Sequence, residues 1–305
     1  MGMTAFIFPG QGSQYAGMGK DFYDTYDEAK EVYKLAGEAS GLDIEELCFT
    51  ENDKLDITEY TQIAMLATEV ASLKVLEAKG LNADVTAGLS LGEYGALAAA
   101  DVMDLKDLFY IIRKRGIFMQ EAYPTGGAMV AVLGLDSDTI EDVCHKTQGI
   151  VSIANYNCPG QIVITGEEGA VMAASEALSA AGAKRCVQLK VSGPFHSKLL
   201  EDAGKKLEEE LLPINVRKPS IPYISNVDAL NVTEAAPIKT LLKNQVSNSV
   251  CWQQTIEKMI ADGVDTFIEI GPGRTLSGFL KKISKDVTCI NIDKLEDIEK
   301  LKDLI

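Results

Sequence analysis

Ser90 stands in the sequence GLSLGEYG, residues 88–95, with a glycine two positions before it and another two positions after it. In a G-x-S-x-G pattern, a sharp turn between a strand and a helix exposes the serine hydroxyl and brings the next backbone N–H to a helix N-terminus. The preceding ADVTAG is typical of a buried strand, and the following LGEYGALAAADVM is typical of a helix. This context predicts a nucleophilic serine, with a glycine turn that serves only packing as the alternative.

A serine nucleophile needs a base, because an unassisted hydroxyl reacts poorly near neutral pH. The chain has two histidines. His145 belongs to the acidic, amphipathic segment SDTIEDVCHKTQG, which predicts a solvated helix residue. His196 lies in VSGPFHSKLL, where two predicted domains meet, and clefts form at such junctions. We therefore predict that His196 is the base, with a structural histidine as the alternative.

The segment FPGQGSQ, residues 8–14, follows a predicted strand and is a candidate source of backbone N–H groups. It is not the dinucleotide-binding loop G-x-G-x-x-G, because Tyr15 occupies the last glycine position. A glycine-rich backbone after a strand can direct an N–H into a cleft, which suits an oxyanion donor in acyl transfer.

Arg115 lies in the predicted helix YIIRKRGIFMQEA, directly after Arg113 and Lys114. A solvated basic face is the more common interpretation of such a cluster. The apolar residues around Arg115 instead favour a partly buried guanidinium, which needs an anionic partner. Because its planar fork fits a carboxylate through two hydrogen bonds, Arg115 is a candidate for binding a substrate carboxylate.

The composition argues against several other classes of protein. The net charge of −16 disfavours broad nucleic-acid binding, which needs a basic surface. Six cysteines without a C-x-x-C pair and only two histidines predict no metal site, and scattered cysteines suit a reducing cytoplasm. The apolar runs are far shorter than the roughly 18 residues of a membrane helix, and no secretory leader is evident. We expect a cytoplasmic protein without a membrane or nucleic-acid partner.

The elements that must position these residues alternate between strands and helices, which predicts a parallel α/β sheet. One amphipathic helix is predicted over residues 21–41, a long Ala-rich helix over 58–79, and a further helix over 105–122. Further strands are predicted at 221–227 and 265–270.

The order of elements changes near residue 126. From there the pattern predicts β-α-β-β-α-β, ending in a strand over 184–193, and this order is typical of a ferredoxin-like unit. We predict a large α/β body formed by residues 1–125 and 193–305, and a small subdomain formed by residues 126–192.

Six motifs follow one another along the chain: FPGQGSQ, GLSLGE, RGIFMQEA, NYNCPGQ, PFHS and EIGPG. Together they resemble the malonyl-CoA:acyl carrier protein transacylases of bacterial fatty acid synthesis, and the resemblance covers nearly the whole chain. The family fold is an α/β-hydrolase-like, parallel-sheet body with an inserted ferredoxin-like (βαββαβ) subdomain, which agrees with the predicted division.

The resemblance implies roles for individual residues. Ser90 matches the acylated nucleophile of the family, and His196 matches its base. Gln11 and Leu91 match the two backbone N–H donors of the oxyanion hole. Arg115 matches the residue that pairs with the malonyl carboxylate.

Three further residues match supporting positions of the site. Gln245 matches the position whose backbone carbonyl orients the histidine. Met119 and Phe195 are expected in the substrate pocket, where Phe195 favours malonyl over methylmalonyl by narrowing the space for an α-methyl group. Two residues depart from the family pattern, since Leu89 stands where many members have His and Ile63 stands where Pro is usual.

The implied reaction is a ping-pong transfer of malonyl from malonyl-CoA to the phosphopantetheine thiol of acyl carrier protein, through a malonyl-Ser90 ester. No cofactor is expected, because the coenzyme A thioester is a substrate, and we expect a monomer. A serine thioesterase or esterase and a free-standing malonyl transacylase of polyketide synthesis are the alternatives.

The carrier implied by the family is acidic, so on a chain of charge −16 it should dock on a local basic cluster. Two clusters are candidates for this contact: Lys184, Arg185, Lys190 and Lys198 in one, and Lys281 and Lys282 in the other.

Overall fold

The computed structural model describes residues 2–191 and 193–305, and the chain forms ten strands within them. In chain order the strands are β1 Met3–Phe8, β2 Val85–Gly88, β3 Gly127–Leu133, β4 Val151–Cys158, β5 Gln161–Glu167, β6 Arg185–Gln188, β7 Tyr223–Ile224, β8 Asn231–Val232, β9 Val264–Ile270 and β10 Thr288–Ile292.

The same residues form twelve α-helices, with short 3₁₀ turns at Lys198–Leu200 and Leu295–Leu301. In chain order the helices are α1 Lys20–Thr25, α2 Asp27–Ser40, α3 Ile44–Phe49, α4 Thr58–Ala78, α5 Gly92–Ala99, α6 Leu105–Ala122, α7 Ser137–Lys146, α8 Glu168–Ala180, α9 Glu201–Leu211, α10 Ile238–Gln245, α11 Trp252–Ala261 and α12 Thr275–Ile283.

The larger sheet has six strands in the order β10-β9-β1-β2-β7-β8, and every neighbouring pair is parallel except β7 with β8. Strand β1 lies in the interior of this sheet, and its last four residues, AFIF, are buried. A continuous apolar run is what a parallel strand needs when helices cover both faces of the sheet. The predicted parallel α/β body is therefore present, and β1 and β2 both end beside the predicted nucleophile.

The smaller sheet has four strands in the order β4-β5-β3-β6, and its pairs are antiparallel. The chain passes through it in the order β3-α7-β4-β5-α8-β6. The molecule thus combines a sheet of mainly parallel strands with a separate antiparallel sheet. Residue 192, the last residue of the predicted small subdomain, lies outside the described residues.

Helix α4 is buried along most of its length and packs against α2, α5 and α6. A helix that is apolar on nearly all sides belongs in a core, which explains its Ala-rich sequence. Helix α6 approaches it closely at Gly116, where an added Cβ would lie 2.9 Å from the Glu59 Cα atom. This close approach brings Arg115 beside Gln62 of α4.

Three predicted elements differ from the structure. The helix predicted over 21–41 is two helices, because the extended backbone of Tyr26 (φ −122°, ψ 133°) separates α1 from α2. The strand predicted over 184–193 is shorter and spans Arg185–Gln188, and Leu189 and Val191 after it line the central cavity. The strand predicted over 221–227 is only two residues long, because Ser225 and Asn226 leave the sheet and bond to other segments.

Candidate active site

Ser90 occupies a sharp turn between β2, which ends at Gly88, and α5, which begins at Gly92. Its φ of 55° lies in the left-handed region, which non-glycine residues rarely adopt. The turn fits closely against β1, the neighbouring strand in the sheet, since a Cβ on Gly92 would lie 2.2 Å from the carbonyl oxygen of Phe8. Glycine is therefore required at this position for the serine to project at the end of the sheet.

The side chain of Asn226 fixes the backbone of this turn through two hydrogen bonds. Its amide nitrogen donates to the Gly88 carbonyl at 2.6 Å, and its amide oxygen accepts from the Ser90 backbone N–H at 2.7 Å. Asn226 is fully buried, so these bonds are shielded from water. This role of Asn226 was not predicted, because the residue lies within the strand predicted over 221–227.

His196 lies beside the serine, with Nε2 2.8 Å from the Ser90 Oγ atom. Its Nδ1 lies 2.9 Å from the backbone carbonyl oxygen of Gln245. A carbonyl only accepts hydrogen bonds, so Nδ1 carries the proton and Nε2 is free to accept one from Ser90. Burial and the nearby charge of Arg115 lower the pKa of His196 to about 4, which keeps the ring neutral near pH 7. The other histidine, His145, is exposed on α7, as predicted.

Arg115 is 1% exposed, so its burial is complete rather than partial as predicted. Its Nη1 donates to Gln62 Oε1 at 2.5 Å, and its Nη2 donates to Gln245 Oε1 at 2.9 Å and to Ser90 Oγ at 3.1 Å. Within the described chain, no carboxylate forms a hydrogen bond or ion pair with this guanidinium. Burial lowers the pKa of Arg115, while Tyr94 and Glu93 act in the opposite direction.

Gln245 contacts more of the site than its predicted backbone contact with His196. Its side-chain amide nitrogen donates to the Ser90 carbonyl at 2.8 Å and to Glu93 Oε2 at 2.6 Å. The amide oxygen accepts from Arg115. One residue at the end of α10 therefore connects the nucleophile, the base and the guanidinium.

Two backbone N–H groups are available near the serine, on Gln11 and Leu91. Neither has a hydrogen-bond acceptor among the residues that the structure describes, and both residues line the central cavity. The loop that carries Gln11 is fixed by its own side chain, which donates to Thr58 Oγ1 at 3.1 Å, and by Gln14, which donates to Asp56 Oδ1 at 2.8 Å.

The central cavity has a volume of about 290 Å³ and lies between the two sheets. The large sheet contributes the turn that carries Ser90, and the small sheet contributes Asn155, Asn157 and Gln161. Met119 and Phe195 both line the cavity, as expected for a substrate pocket. Their side chains are buried and form an apolar part of the cavity wall, next to the buried polar side chains of Arg115 and His196.

Within residues 2–191 and 193–305, no cluster of three or more His, Cys, Asp or Glu side chains could hold a metal ion. The six cysteines are all free thiols.

In this same part of the chain, no helix combines the length and the apolar character that a membrane crossing requires.

Comparison with known proteins gives consistent matches over almost the whole chain. The family model described as "Acyl transferase domain" matches residues 5–297. A curated Bacillus subtilis (strain 168) protein named malonyl CoA-acyl carrier protein transacylase is 45% identical over 304 residues, covering 98% of this chain and 96% of that protein.

Solved structures agree with these sequence matches. The crystal structure of a malonyl CoA-acyl carrier protein transacylase from Clostridium perfringens has a TM-score of 0.95 and 46% identity, and the match covers 99% of this chain and 96% of that chain. A malonyl-transacylase in complex with its type II polyketide synthase acyl-carrier protein also has a TM-score of 0.95, with 39% identity and 99% coverage of both chains.

Proposed function

This chain belongs to the acyl transferase domain family, and on that premise we propose how its residues divide the work of the reaction. It is an acyltransferase that moves a malonyl group from malonyl-CoA to acyl carrier protein. We assign Ser90 as the nucleophile and His196 as its base, so that malonyl is carried as an ester on Ser90.

The environment of Arg115 is the observation that supports malonyl as the transferred acyl group. Its guanidinium is buried, lies 3.1 Å from the Ser90 hydroxyl oxygen and has only neutral hydrogen-bond partners within the described chain. A buried cation of this kind is stabilised by an anion that arrives with the substrate. We infer that the malonyl carboxylate pairs with Arg115 while the thioester carbonyl lies against Ser90.

Acylation begins when His196 Nε2 accepts the Ser90 proton and the serine oxygen attacks the thioester carbonyl. The negative charge that develops on this carbonyl oxygen is stabilised by the backbone N–H groups of Gln11 and Leu91. Loss of one such donor typically costs about 10²–10³ in rate. Coenzyme A then leaves as a thiol, with the proton that His196 had accepted, and malonyl remains esterified to Ser90.

Transfer to the carrier repeats these steps in reverse order. His196 accepts the proton of the phosphopantetheine thiol, and the sulfur attacks the malonyl-Ser90 ester. The proton returns to the Ser90 oxygen when the ester breaks. Arg115 holds the malonyl group in place between the two half-reactions, so that a thiol rather than water accepts it.

The shape of the pocket supports a small acyl group. Met119 and Phe195 line the inner cavity with apolar, buried side chains. We propose that Phe195 narrows the space beside the α-carbon and so disfavours methylmalonyl. Coenzyme A enters as part of the substrate, and we propose that no separate cofactor takes part.

Several broader assignments are also proposals. We propose that the large sheet with its helices forms an α/β-hydrolase-like body and that residues 126–192 form a ferredoxin-like insertion. The order and antiparallel pairing of β3, β4, β5 and β6 support the second assignment. We also propose a monomeric, cytoplasmic enzyme that serves fatty acid synthesis, while the relative bound to a type II polyketide synthase carrier keeps polyketide synthesis as the alternative pathway.

The experiment that tests this function follows the fate of one acyl group. The protein is mixed with malonyl-CoA, and the adduct is located by mass spectrometry in the natural chain and in Ser90→Ala. We expect a malonyl adduct on Ser90 that is stable in buffer and is discharged when acyl carrier protein with its phosphopantetheine thiol is added. Rapid loss of the adduct to water would instead identify a serine thioesterase or esterase.

A further inference from the structure

The side-chain amide of Gln245 has one favourable orientation. Its oxygen faces the Arg115 Nη2 donor at 2.9 Å, and its nitrogen faces two acceptors, the Ser90 carbonyl at 2.8 Å and Glu93 Oε2 at 2.6 Å. The reversed amide would place N–H donors against the guanidinium and its oxygen against two other oxygens. The two acceptors therefore decide which end of the amide faces Arg115.

Glu93 is the charged member of this pair of acceptors. It lies in the first turn of α5 and is fully buried, and its Oε2 also accepts from the Asn226 backbone N–H at 3.3 Å. Its Oε1 has no hydrogen-bond partner among the described residues. The groups that contact Oε2 are all donors, so an ionised carboxylate fits this position.

Gln245 contacts both Glu93 and Arg115, and no hydrogen bond or ion pair joins the two charged groups directly in the described chain. A direct carboxylate contact would compete with the substrate carboxylate for the guanidinium. With Gln245 between them, the guanidinium is oriented by an amide oxygen and stays available to the substrate.

We propose that Glu93 is the positioning residue for acyl-group selection, because its carboxylate fixes the Gln245 amide and thereby holds Arg115 beside Ser90. This inference rests on the proposed function, in which Arg115 binds the malonyl carboxylate. Glu93 touches no substrate in this arrangement, so it is not a catalytic residue.

The first test is the variant Glu93→Gln at about pH 9, above the raised pKa of Glu93, where the substitution keeps the size of the side chain and removes its charge. A hydrogen bond to a charged group is stronger than one to a neutral group, so its loss should loosen the amide. We expect the KM for malonyl-CoA in the acylation of Ser90 to rise about 10-fold. The rate of acylation by acetyl-CoA, which has no carboxylate, should change less than about 2-fold.

The matched control is Glu69→Gln. Glu69 is also a fully buried glutamate, but it lies on α4 and has no hydrogen-bond partner among the described residues. We expect this variant to leave the ratio of malonyl to acetyl acylation unchanged.

Three results for Glu93→Gln would overturn the proposal. A lower KM for malonyl-CoA would mean that Glu93 acts only as a negative charge that opposes the substrate. Equal losses with malonyl-CoA and acetyl-CoA would mean that it only supports the fold of the turn. An unaltered malonyl adduct on Ser90 with unaltered KM would reject this inference alone, whereas absence of the adduct in the natural chain would reject the proposed function.

A second measurement needs no substitution. Burial raises the pKa of Glu93 to about 8, while Gln245, Asn226 and Arg115 favour its ionised form and Asp228 opposes it. Tyr94 and Tyr223 also face this carboxylate. As the pH rises from about 6.5 to 9, Glu93 ionises, so the KM for malonyl-CoA should fall while acetyl-CoA acylation stays constant. A KM that rises over this range would overturn the proposal.

A double-mutant cycle tests whether Glu93 acts through the side-chain amide of Gln245. Gln245→Met removes the amide and keeps the backbone carbonyl that contacts His196. If Glu93 acts through this amide, Glu93→Gln should raise the KM for malonyl-CoA no further in the Gln245→Met background. Additive effects of the two substitutions would show that Glu93 acts by another route.

Discussion

At the scale of single residues, Arg115 is a buried charge with neutral partners. In Arg115→Ala we expect kcat/KM for malonyl-CoA to fall at least about 100-fold, because the substrate carboxylate loses its only buried cationic partner. Acylation by acetyl-CoA should be retained or increased, since removal of the Arg115 side chain leaves more space in the cavity beside Ser90. Acylation rates with the two thioesters check this result.

Arg113→Ala is the matched control for this prediction. Arg113 lies on the same helix, but it pairs with Glu59 at 2.8 Å and makes no contact with Ser90. We expect this variant to keep the malonyl preference. An unchanged preference in Arg115→Ala would remove Arg115 from the acyl-binding site.

The pH dependence of acylation reports on His196. Its lowered pKa of about 4 keeps it neutral and able to accept a proton far below its ordinary range. With acetyl-CoA, we expect the acylation rate to be constant down to about pH 5 and to fall as the pH approaches 4. In Arg115→Ala the decline should begin at a higher pH, because the nearby positive charge that lowers the pKa is removed. A decline at the same pH in both proteins would contradict this electrostatic coupling.

Residue types and spacing led to the prediction that Ser90 is the nucleophile and His196 its base, and the structure brings these two side chains into contact. The same information did not identify Gln62, Asn226 or the amide of Gln245 as members of the site. These residues act through hydrogen bonds between segments that are 53 to 155 positions apart in the chain. Only the fold determines which polar side chains meet in this way.

At the scale of elements, the start of α5 depends on a residue without a side chain. In Gly92→Ala the new Cβ would lie 2.2 Å from the Phe8 carbonyl oxygen, so strand and helix would have to separate. We expect a loss of about 3 kcal/mol in the free energy of unfolding, together with loss of Ser90 acylation. Chemical denaturation and the mass-spectrometric adduct assay measure the two effects.

Gly278→Ala is the control for this substitution. Gly278 is an exposed residue inside α12, and a Cβ there would meet no atom within 4 Å. Alanine should stabilise the helix by about 0.5–1 kcal/mol relative to glycine. If both variants lost the same stability, the close approach at Gly92 would not be the cause.

Long helices were predicted more accurately than short strands. The helices predicted over 58–79 and 105–122 correspond to α4 and α6, because their apolar pattern is sustained over many turns. The break at Tyr26 has no glycine or proline to mark it, and the polar contacts of Asn226 end β7 after two residues. Both features depend on neighbouring segments and not on local sequence.

At the scale of the whole molecule, an enzyme with a net charge of −16 must attract a carrier that we expect to be acidic. The basic cluster on α12 reaches the wall of the cavity, because Lys282 Nζ donates to Gln161 Oε1 at 2.8 Å and Gln161 lines the cavity. In Lys282→Glu we expect the KM for acyl carrier protein to rise about 10-fold at low salt, and the effect should shrink as salt is added.

Lys184→Glu is the comparison for this charge reversal. Lys184 packs beside Gly134, which does not line the central cavity. In the Lys184→Glu variant we expect the KM for acyl carrier protein to change less than about 2-fold. Steady-state transfer at several salt concentrations separates the two surfaces, and a larger effect at Lys184 would assign docking to the other cluster.

The left-handed backbone at the two reactive residues has a consequence for the durability of the enzyme. Ser90 has a φ of 55° and His196 a φ of 60°, and such conformations cost about 1 kcal/mol or more in any residue that has a Cβ. Ser90→Gly should therefore be about 1 kcal/mol more resistant to thermal unfolding than Ser90→Ala, although both are inactive. Selection for heat tolerance alone would favour glycine at this turn, and only selection for catalysis keeps the serine there.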